Sequence, residues 1–151
     1  MEEREVMITC SRILEFDAGH RVLNHESKCR TPHGHRYKVE ITATAKELDT
    51  LGRIVDFGEI KATLGAWIDQ HWDHTMIICD QDPMLEAFKA DLHAFKPPYI
   101  TEWNPTAENM ASFLLAKASS LLKDTYLTIT SVIVWETPNC KAEATKHENS
   151  R

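Results

Sequence analysis

Four of the eight histidines in this 151-residue chain fall within sixteen residues, at His20, His25, His33 and His35, and two more stand at His71 and His74. Such clustering suits metal binding or acid–base work, because imidazole is the commonest metal ligand and titrates near neutrality. His33-Gly34-His35 is the sharpest feature, since residues i and i+2 of a strand project to one face and can present two imidazoles to one ion. His20 can supply the third, because Phe16, Ala18 and His20 share a face at the end of a strand pattern and strand pairing brings them beside the pair. Three neutral histidines with a fourth position open is a catalytic zinc arrangement rather than a structural one. Surface or hydrogen-bonded histidines give the same spacing.

Cys29 lies four residues before His33 and admits two readings. It can close a site of one Cys and three His in which zinc holds the fold together. Alternatively it is a thiolate near the metal, favoured by the metal and by Lys28 and Arg30, and able to take a proton. Asp73-His74 follows in a Trp-Asp-His loop. A carboxylate beside an imidazole fixes its tautomer and supports its protonated form; a capping Asp beside an exposed His is the plainer alternative. Glu136 ends a strand among Val132, Val134 and Trp135, where an unpaired buried carboxylate is costly and calls for a partner or ligand. Glu108, in a helical first turn, is explained by the helix dipole alone.

The elements that must position these groups are read from periodicity. Met7 to Phe16 and His35 to Ala45 alternate as strands, the second with Tyr37, Val39, Ile41 and Ala43 on one face. Phe57, Ile60, Leu64, Trp67 and Ile68 follow helical spacing to about Gln70, with Asp56 as N-cap and Glu59 as capping-box partner. Residues 80–103 read as irregular, with a short helix around Met84 to Phe95 stopped by Pro97-Pro98. A second long helix runs from Thr106 as N-cap toward Leu122. Thr128 to Glu136 alternates again, with Ile129, Ser131, Ile133 and Trp135 opposite Thr130, Val132, Val134 and Glu136, and a weaker strand follows Cys140. The order is β-β-α-α-β-β, an α+β domain with helices on one face of an antiparallel sheet. One domain over 1–151 is expected, with a frayed polar tail from about Lys146.

Composition excludes several classes. The apolar share is 42% and the charged share 26%, which is ordinary globular usage. Lys plus Arg at 17 against Asp plus Glu at 23 leaves −6, which argues against nucleic acid and against a polybasic membrane anchor. Residues Arg21 to Lys38 nevertheless carry Arg21, Lys28, Arg30, Arg36 and Lys38 against Glu26, a local basic patch that suits a small polyanion; Arg36 and Lys38 also fit as the solvated outer face of their strand. The four cysteines show no CxxC pair, so no disulfide framework is expected and a reducing cytoplasm fits. A charged Met-Glu-Glu-Arg-Glu start and the lack of a long apolar run lead to the expectation of no export signal and no membrane span. Cys10, Cys79 and Cys140 read as packing or surface residues, and His25, His71, His93 and His147 carry no assigned role.

Six segments together resemble a known family. Phe16-Asp17-Ala18-Gly19-His20, Cys29-Arg30-Thr31-Pro32-His33-Gly34-His35, Gly52-Arg53-Ile54-Val55-Asp56-Phe57, Asp73-His74, Asn104-Pro105-Thr106-Ala107-Glu108-Asn109 and Glu136-Thr137 resemble, in order, the motifs of the 6-pyruvoyltetrahydropterin synthase superfamily. The three residues between Cys29 and His33 look like the bacterial 6-carboxytetrahydropterin synthase branch, since the pyruvoyl enzymes have a longer gap there. A relative used in folate synthesis carries Glu in place of this Cys. The resemblance implies the tunnelling fold, a four-stranded antiparallel sheet with two helices on one face that assembles into a barrel of subunits, commonly a hexamer. It implies Zn2+ on His20, His33 and His35, with Cys29 as catalytic base. Asp73 and His74 would be an acid–base pair reaching Cys29 from a neighbouring subunit. Glu108 and Glu136 would recognise the pterin through paired hydrogen bonds. The implied reaction is a carbon–carbon lyase step that converts 7,8-dihydroneopterin triphosphate to 6-carboxytetrahydropterin, acetaldehyde and triphosphate, on the path to queuosine and other 7-deazapurines. Two alternatives stand beside it: a pyruvoyl synthase that eliminates triphosphate and keeps the side chain, and a non-catalytic zinc-stabilised binding domain. The stretch 80–103 looks longer than in compact family members, and Asp91, His93 and Lys96 within it carry no assigned role.

Overall fold

Alternating apolar and polar residues carry β1 (Thr9–His20) and β2 (His33–Ala45) into a long antiparallel pair. Leu14, Phe16 and Ala18 on one strand, and Tyr37, Val39, Ile41 and Ala43 on the other, are buried on one face. Both strands reach further toward the loop between them than alternation suggests, because Ala18 pairs with His35, Gly19 with Gly34 and His20 with His33. Gly19 has a steric reason: a Cβ there would come within 3.1 Å of Met76 Cε on the adjoining strand. The computed structural model describes residues 6–91, 93–94, 96–123 and 125–147.

On its other side β2 pairs antiparallel with β5 (Leu127–Thr137), which pairs with β6 (Cys140–Thr145). The β2–β5 register shifts where Ile129 opposes Ala43 and Ser131 opposes Thr42, leaving Thr130 as an extra residue. A bulge of this kind reverses the phase of a strand's alternation. Ile129 therefore faces the core before it, and Val132 and Val134, opposite Ile41 and Val39, face the core after it. The simple alternation read across Thr128 to Glu136 is corrected accordingly, and Glu136 continues the inner face.

The sheet does not stop at four antiparallel strands. β3 (Thr75–Cys79) pairs parallel with β1, and β4 (Tyr99–Thr101) pairs parallel with β3, giving a mixed six-stranded sheet in the order β4-β3-β1-β2-β5-β6. The four-stranded antiparallel expectation is thus corrected while the α+β class stands. Thr75, Ile77, Ile78 and Cys79 are all buried, so this strand lacks the period-two signal of a half-exposed one. The stretch 80–103 is likewise not irregular throughout: α3 (Leu85–Lys89), shorter than expected, is followed by Pro97-Pro98 and β4.

The first long helix is one continuous rod of α1 (Phe57–Ile60), a π-helical segment Lys61–Gly65 and α2 (Ala66–His71). Asp56 caps it, its carboxylate accepting from Gly58 N–H at 2.8 Å. Ile60, Leu64 and Ile68, four apart, are buried in the core that also holds β1. The second, α4 (Ala107–Leu121), starts where the Thr106 hydroxyl accepts from Asn109 N–H, and buries Met110, Ala111, Leu114 and Ala118 in the same core. Trp72 stacks on Phe113 and links the rods. Each fully buried aliphatic side chain here contributes about 1.5–3 kcal/mol. No helix among the described residues is long and apolar enough to cross a membrane. Lys146 N–H still donates to Thr130 carbonyl at 3.0 Å, and the rest of the polar tail, 148–151, lies outside the described residues.

Candidate active site

The inner faces of β1 and β2 carry apolar side chains along most of their length and end in imidazoles. His20 and His33 are cross-strand partners, and His35 is two residues on, so register alone brings the three together. His20 Nε2 and His33 Nε2 are 3.1 Å apart, and His33 Nε2 and His35 Nε2 are 3.0 Å apart. Two of the remaining ring nitrogens are committed: His20 Nδ1–H donates to the Pro105 carbonyl at 2.7 Å and His33 Nδ1–H to the Thr31 carbonyl at 2.6 Å. Those bonds put the lone pairs of His20 and His33 on Nε2, and lone pairs at such a separation repel unless a cation lies among them. A tetrahedral ion with bonds of about 2.0–2.1 Å sets its ligand atoms roughly 3.3 Å apart, so the donor set fits Zn2+. His20 is only 1% exposed. Burial, against the Pro105 bond and with help from His33 and His35, lowers its pKa to about 4, and burial lowers that of His35. Both imidazoles are therefore neutral at pH 7, the form that can bind a metal ion.

Cys29 sits in a short 3-10 turn, Lys28–Arg30, whose carbonyl accepts from Val22 N–H at 2.8 Å. Its thiol is not among the donor atoms that converge with the imidazoles, so the side chains do not form the closed site of one Cys and three His. Cys29 instead lines a cavity of about 630 Å³ with Lys28, His33, His35, Glu136 and Cys140. Glu136 Oε1 lies 3.6 Å from His20 Nε2 at the rim of the imidazoles. Burial raises the Glu136 pKa, the nearby Glu108 raises it further, and His33 opposes both. The two glutamates thus approach one another from β5 and from the first turn of α4.

Asp73 and His74 form a pair, with Asp73 Oδ1 3.0 Å from His74 Nδ1 and accepting from Asp17 N–H at 3.1 Å. Partial burial disfavours the Asp73 charge, but the Asp17 N–H, His74 and Lys96 outweigh it and hold the carboxyl below its usual range. This pair does not meet Cys29 within one chain. It borders a hollow over Asp17, Gly19, Gly34 and Arg36, on the opposite face of the sheet, and His74 is 74% exposed there.

The basic segment is largely spoken for. Arg21 forms a two-pronged pair with Asp82, Arg36 pairs with Asp17 at 2.9 Å, and Lys38 lies 4.1 Å over the Trp135 ring, leaving Lys28, on the cavity wall, and the exposed Arg30. Three features of the site were not read from sequence. Cys140 is brought to the cavity by the turn between β5 and β6. The buried Tyr37 hydroxyl, with no hydrogen-bond partner among the described residues, lies on a ring that meets His20 and His35 edge-on. The backbone carbonyls of Thr31 and Pro105 carry no side-chain signal at all, although Asn104-Pro105 stands in a recognisable motif.

Fold and site together define an α+β enzyme scaffold whose sheet gathers three imidazoles beside a cavity lined by a thiol and a carboxylate. Comparison makes this specific. The chain belongs to the 6-pyruvoyl tetrahydropterin synthase family, whose model matches residues 9–147. It is 42% identical over 138 residues to the 6-carboxy-5,6,7,8-tetrahydropterin synthase of Rickettsia bellii, covering 91% of this chain and 99% of that one. An uncharacterized protein from Wolinella succinogenes shares the fold with a TM-score of 0.85 at 23% identity, covering 95% of this chain and 100% of that one. The 6-pyruvoyl tetrahydropterin synthase of Caenorhabditis elegans does so with a TM-score of 0.67 at 21% identity, covering 96% and 99%.

Proposed function

We propose that this chain is a zinc-dependent 6-carboxy-5,6,7,8-tetrahydropterin synthase, acting on 7,8-dihydroneopterin triphosphate and releasing acetaldehyde and triphosphate, in the route to queuosine and other 7-deazapurines. The observation that carries the reading is the set of three ring nitrogens of His20, His33 and His35 converging without the Cys29 thiol, which lines the cavity that His33 and His35 also border. His20, His33 and His35 would hold Zn2+, which would supply a Lewis acid for the substrate hydroxyls. Cys29 takes a proton as base. Glu108 and Glu136 accept paired hydrogen bonds from the 2-amino and ring N–H groups of the pterin, and Lys28 on the cavity wall offers its charge to the triphosphate. Asp73 orients His74 while His74 moves a proton.

Because His74 opens on the opposite sheet face, the complete site requires a second copy of the chain, in keeping with a homo-oligomer, by resemblance a hexamer. The 42% identity to a protein named for the carboxy product, together with the three-residue gap after Cys29, favours this reaction over the pyruvoyl one. The test is direct. Zinc-loaded protein given 7,8-dihydroneopterin triphosphate yields acetaldehyde and a product with the mass of 6-carboxytetrahydropterin. Triphosphate release with a product that retains the side chain would identify a pyruvoyl synthase instead, and no turnover would sink both readings.

A further inference from the structure

Lys96 belongs to the stretch between α3 and β4 for which the sequence offers no role. Its ammonium donates to the carbonyl of Asp69, near the end of α2, and to the carbonyl of Asp73 at 2.7 Å. The turn between those carbonyls needs holding. His74 adopts a φ of +56°, in the left-handed region, where a residue with a Cβ costs about 1 kcal/mol or more. Other bonds hold it too: His74 N–H donates to Asp17 carbonyl at 2.6 Å, Asp17 N–H to the Asp73 carboxylate at 3.1 Å, and Trp72 and Asp73 N–H both to Ile68 carbonyl at 2.8 and 2.9 Å. Lys96 adds a tie that joins both ends of the turn, satisfying a carbonyl at the helix end, where acceptors run out of intrahelical donors. It also borders a hollow with Asp73, His74 and Ala94.

The geometry points to Lys96 as a positioning residue for the Asp73–His74 pair: its ammonium ties the two ends of the turn that carries them and so fixes where His74 is presented. This rests on the reading of that pair as the acid–base partners of the proposed reaction. The charged and titratable groups around Asp73 are Asp17 and Arg36, which pair with each other on β1 and β2, Asp69 and His71 on α2, His74 beside it, and Lys96. Among the described residues Lys96 is the cation of this group not already matched to a carboxylate, and it favours the ionised form of Asp73.

Lys96→Met keeps the aliphatic stem and removes the ammonium. In zinc-loaded protein, kcat falls roughly tenfold to a hundredfold while KM stays within about twofold, as displacement of a proton-transfer group would produce. The Asp73 carboxyl, followed by its 13C resonance, titrates at higher pH than in the wild type. On an Asp73→Asn background Lys96→Met causes no further loss, because it acts through the pair. Lys96→Gln, which keeps N–H donors without the charge, takes the place of the Met variant if that one does not fold; its Asp73 titration moves the same way. The titration needs no turnover, so a wild-type protein that converts nothing overturns the proposed reaction and leaves Lys96 still tested. An unmoved Asp73 titration in the folded variant, or a kcat loss that multiplies on the Asp73→Asn background, overturns the role of Lys96.

Discussion

Replacing Cys29 by alanine separates a thiol that does chemistry from one that holds a metal. The side chain is half-buried in a 3-10 turn that contains no buried residue, and the backbone bonds of that turn survive the change. Removing one partly exposed sulfur costs less than about 1 kcal/mol by burial. In a domain of this size that moves the Tm by no more than about 2–4 °C. A zinc-ligating thiolate would behave differently, because structural zinc sites are worth about 10–16 kcal/mol of coupled binding and folding, and losing one of four ligands forfeits a large part of it. On the chemical side, loss of a general base costs about 10²–10⁴ in rate, or roughly 3–5 kcal/mol of barrier. The expected outcome for Cys29→Ala is therefore full zinc content after dialysis against a weak chelator, a nearly unchanged melting curve, and acetaldehyde formation down by at least about a hundredfold in an alcohol-dehydrogenase-coupled assay. A variant that loses zinc and melts tens of degrees lower would refute the open three-histidine site, and one that turns over at the wild-type rate would refute the thiol base.

Glu136→Gln removes a charged acceptor worth about 1.5–3 kcal/mol from the pterin, so KM rises about tenfold to a hundredfold in steady-state kinetics; a wild-type KM would exclude Glu136 from substrate binding. Asp82 is held below the usual carboxylate range, first by its hydrogen bonds from Arg21. A depressed folded pKa stabilises fully above the unfolded value near 4 and is lost as pH falls below it, so Asp82→Asn lowers stability at pH 7 by about 3–5 kcal/mol and flattens the acid limb below about pH 4. Urea unfolding across that range checks it, and an acid limb as steep as the wild type's would contradict it. Cys29→Ala and His74→Ala are each inactive, but subunits dissociated, mixed equally and reassembled recover about a quarter of wild-type activity, since half the cavities keep Cys29 and half of their neighbours keep His74. No recovery on mixing, with reassembly verified by sizing, would place both residues in one chain's site.

What could be read from residue order and what could not divide along a physical line. The imidazoles were legible because alternation is local: once Phe16 and Ala18 face inward, His20 must too, and His33 and His35 share a face whatever else the chain does. Glu136 needed more, since a single extra residue at Thr130 decides which face the end of β5 presents, and a bulge is a property of two strands together. β3 was invisible for a related reason: its residues are buried, and a strand covered on both sides is an apolar run rather than a pattern. The parallel pairing of β3 with β1 then determines that the turn before it, carrying Asp73 and His74, opens on the face away from the cavity. No spacing within residues 70–80 encodes that. Charge counting failed at Arg21 in the same way. Counted among cations for a triphosphate, it is claimed by a buried carboxylate 61 residues away, because an unpaired Asp82 at 3% exposure would cost several kcal/mol to leave alone. The pair joins the end of β1 to the loop after β3, and Arg21 also donates to the Arg30 carbonyl at 3.4 Å, next to Cys29. A residue that looked like substrate attraction thus positions the loop of the thiol instead, and among the described residues Lys28 is the lysine or arginine that lines the cavity.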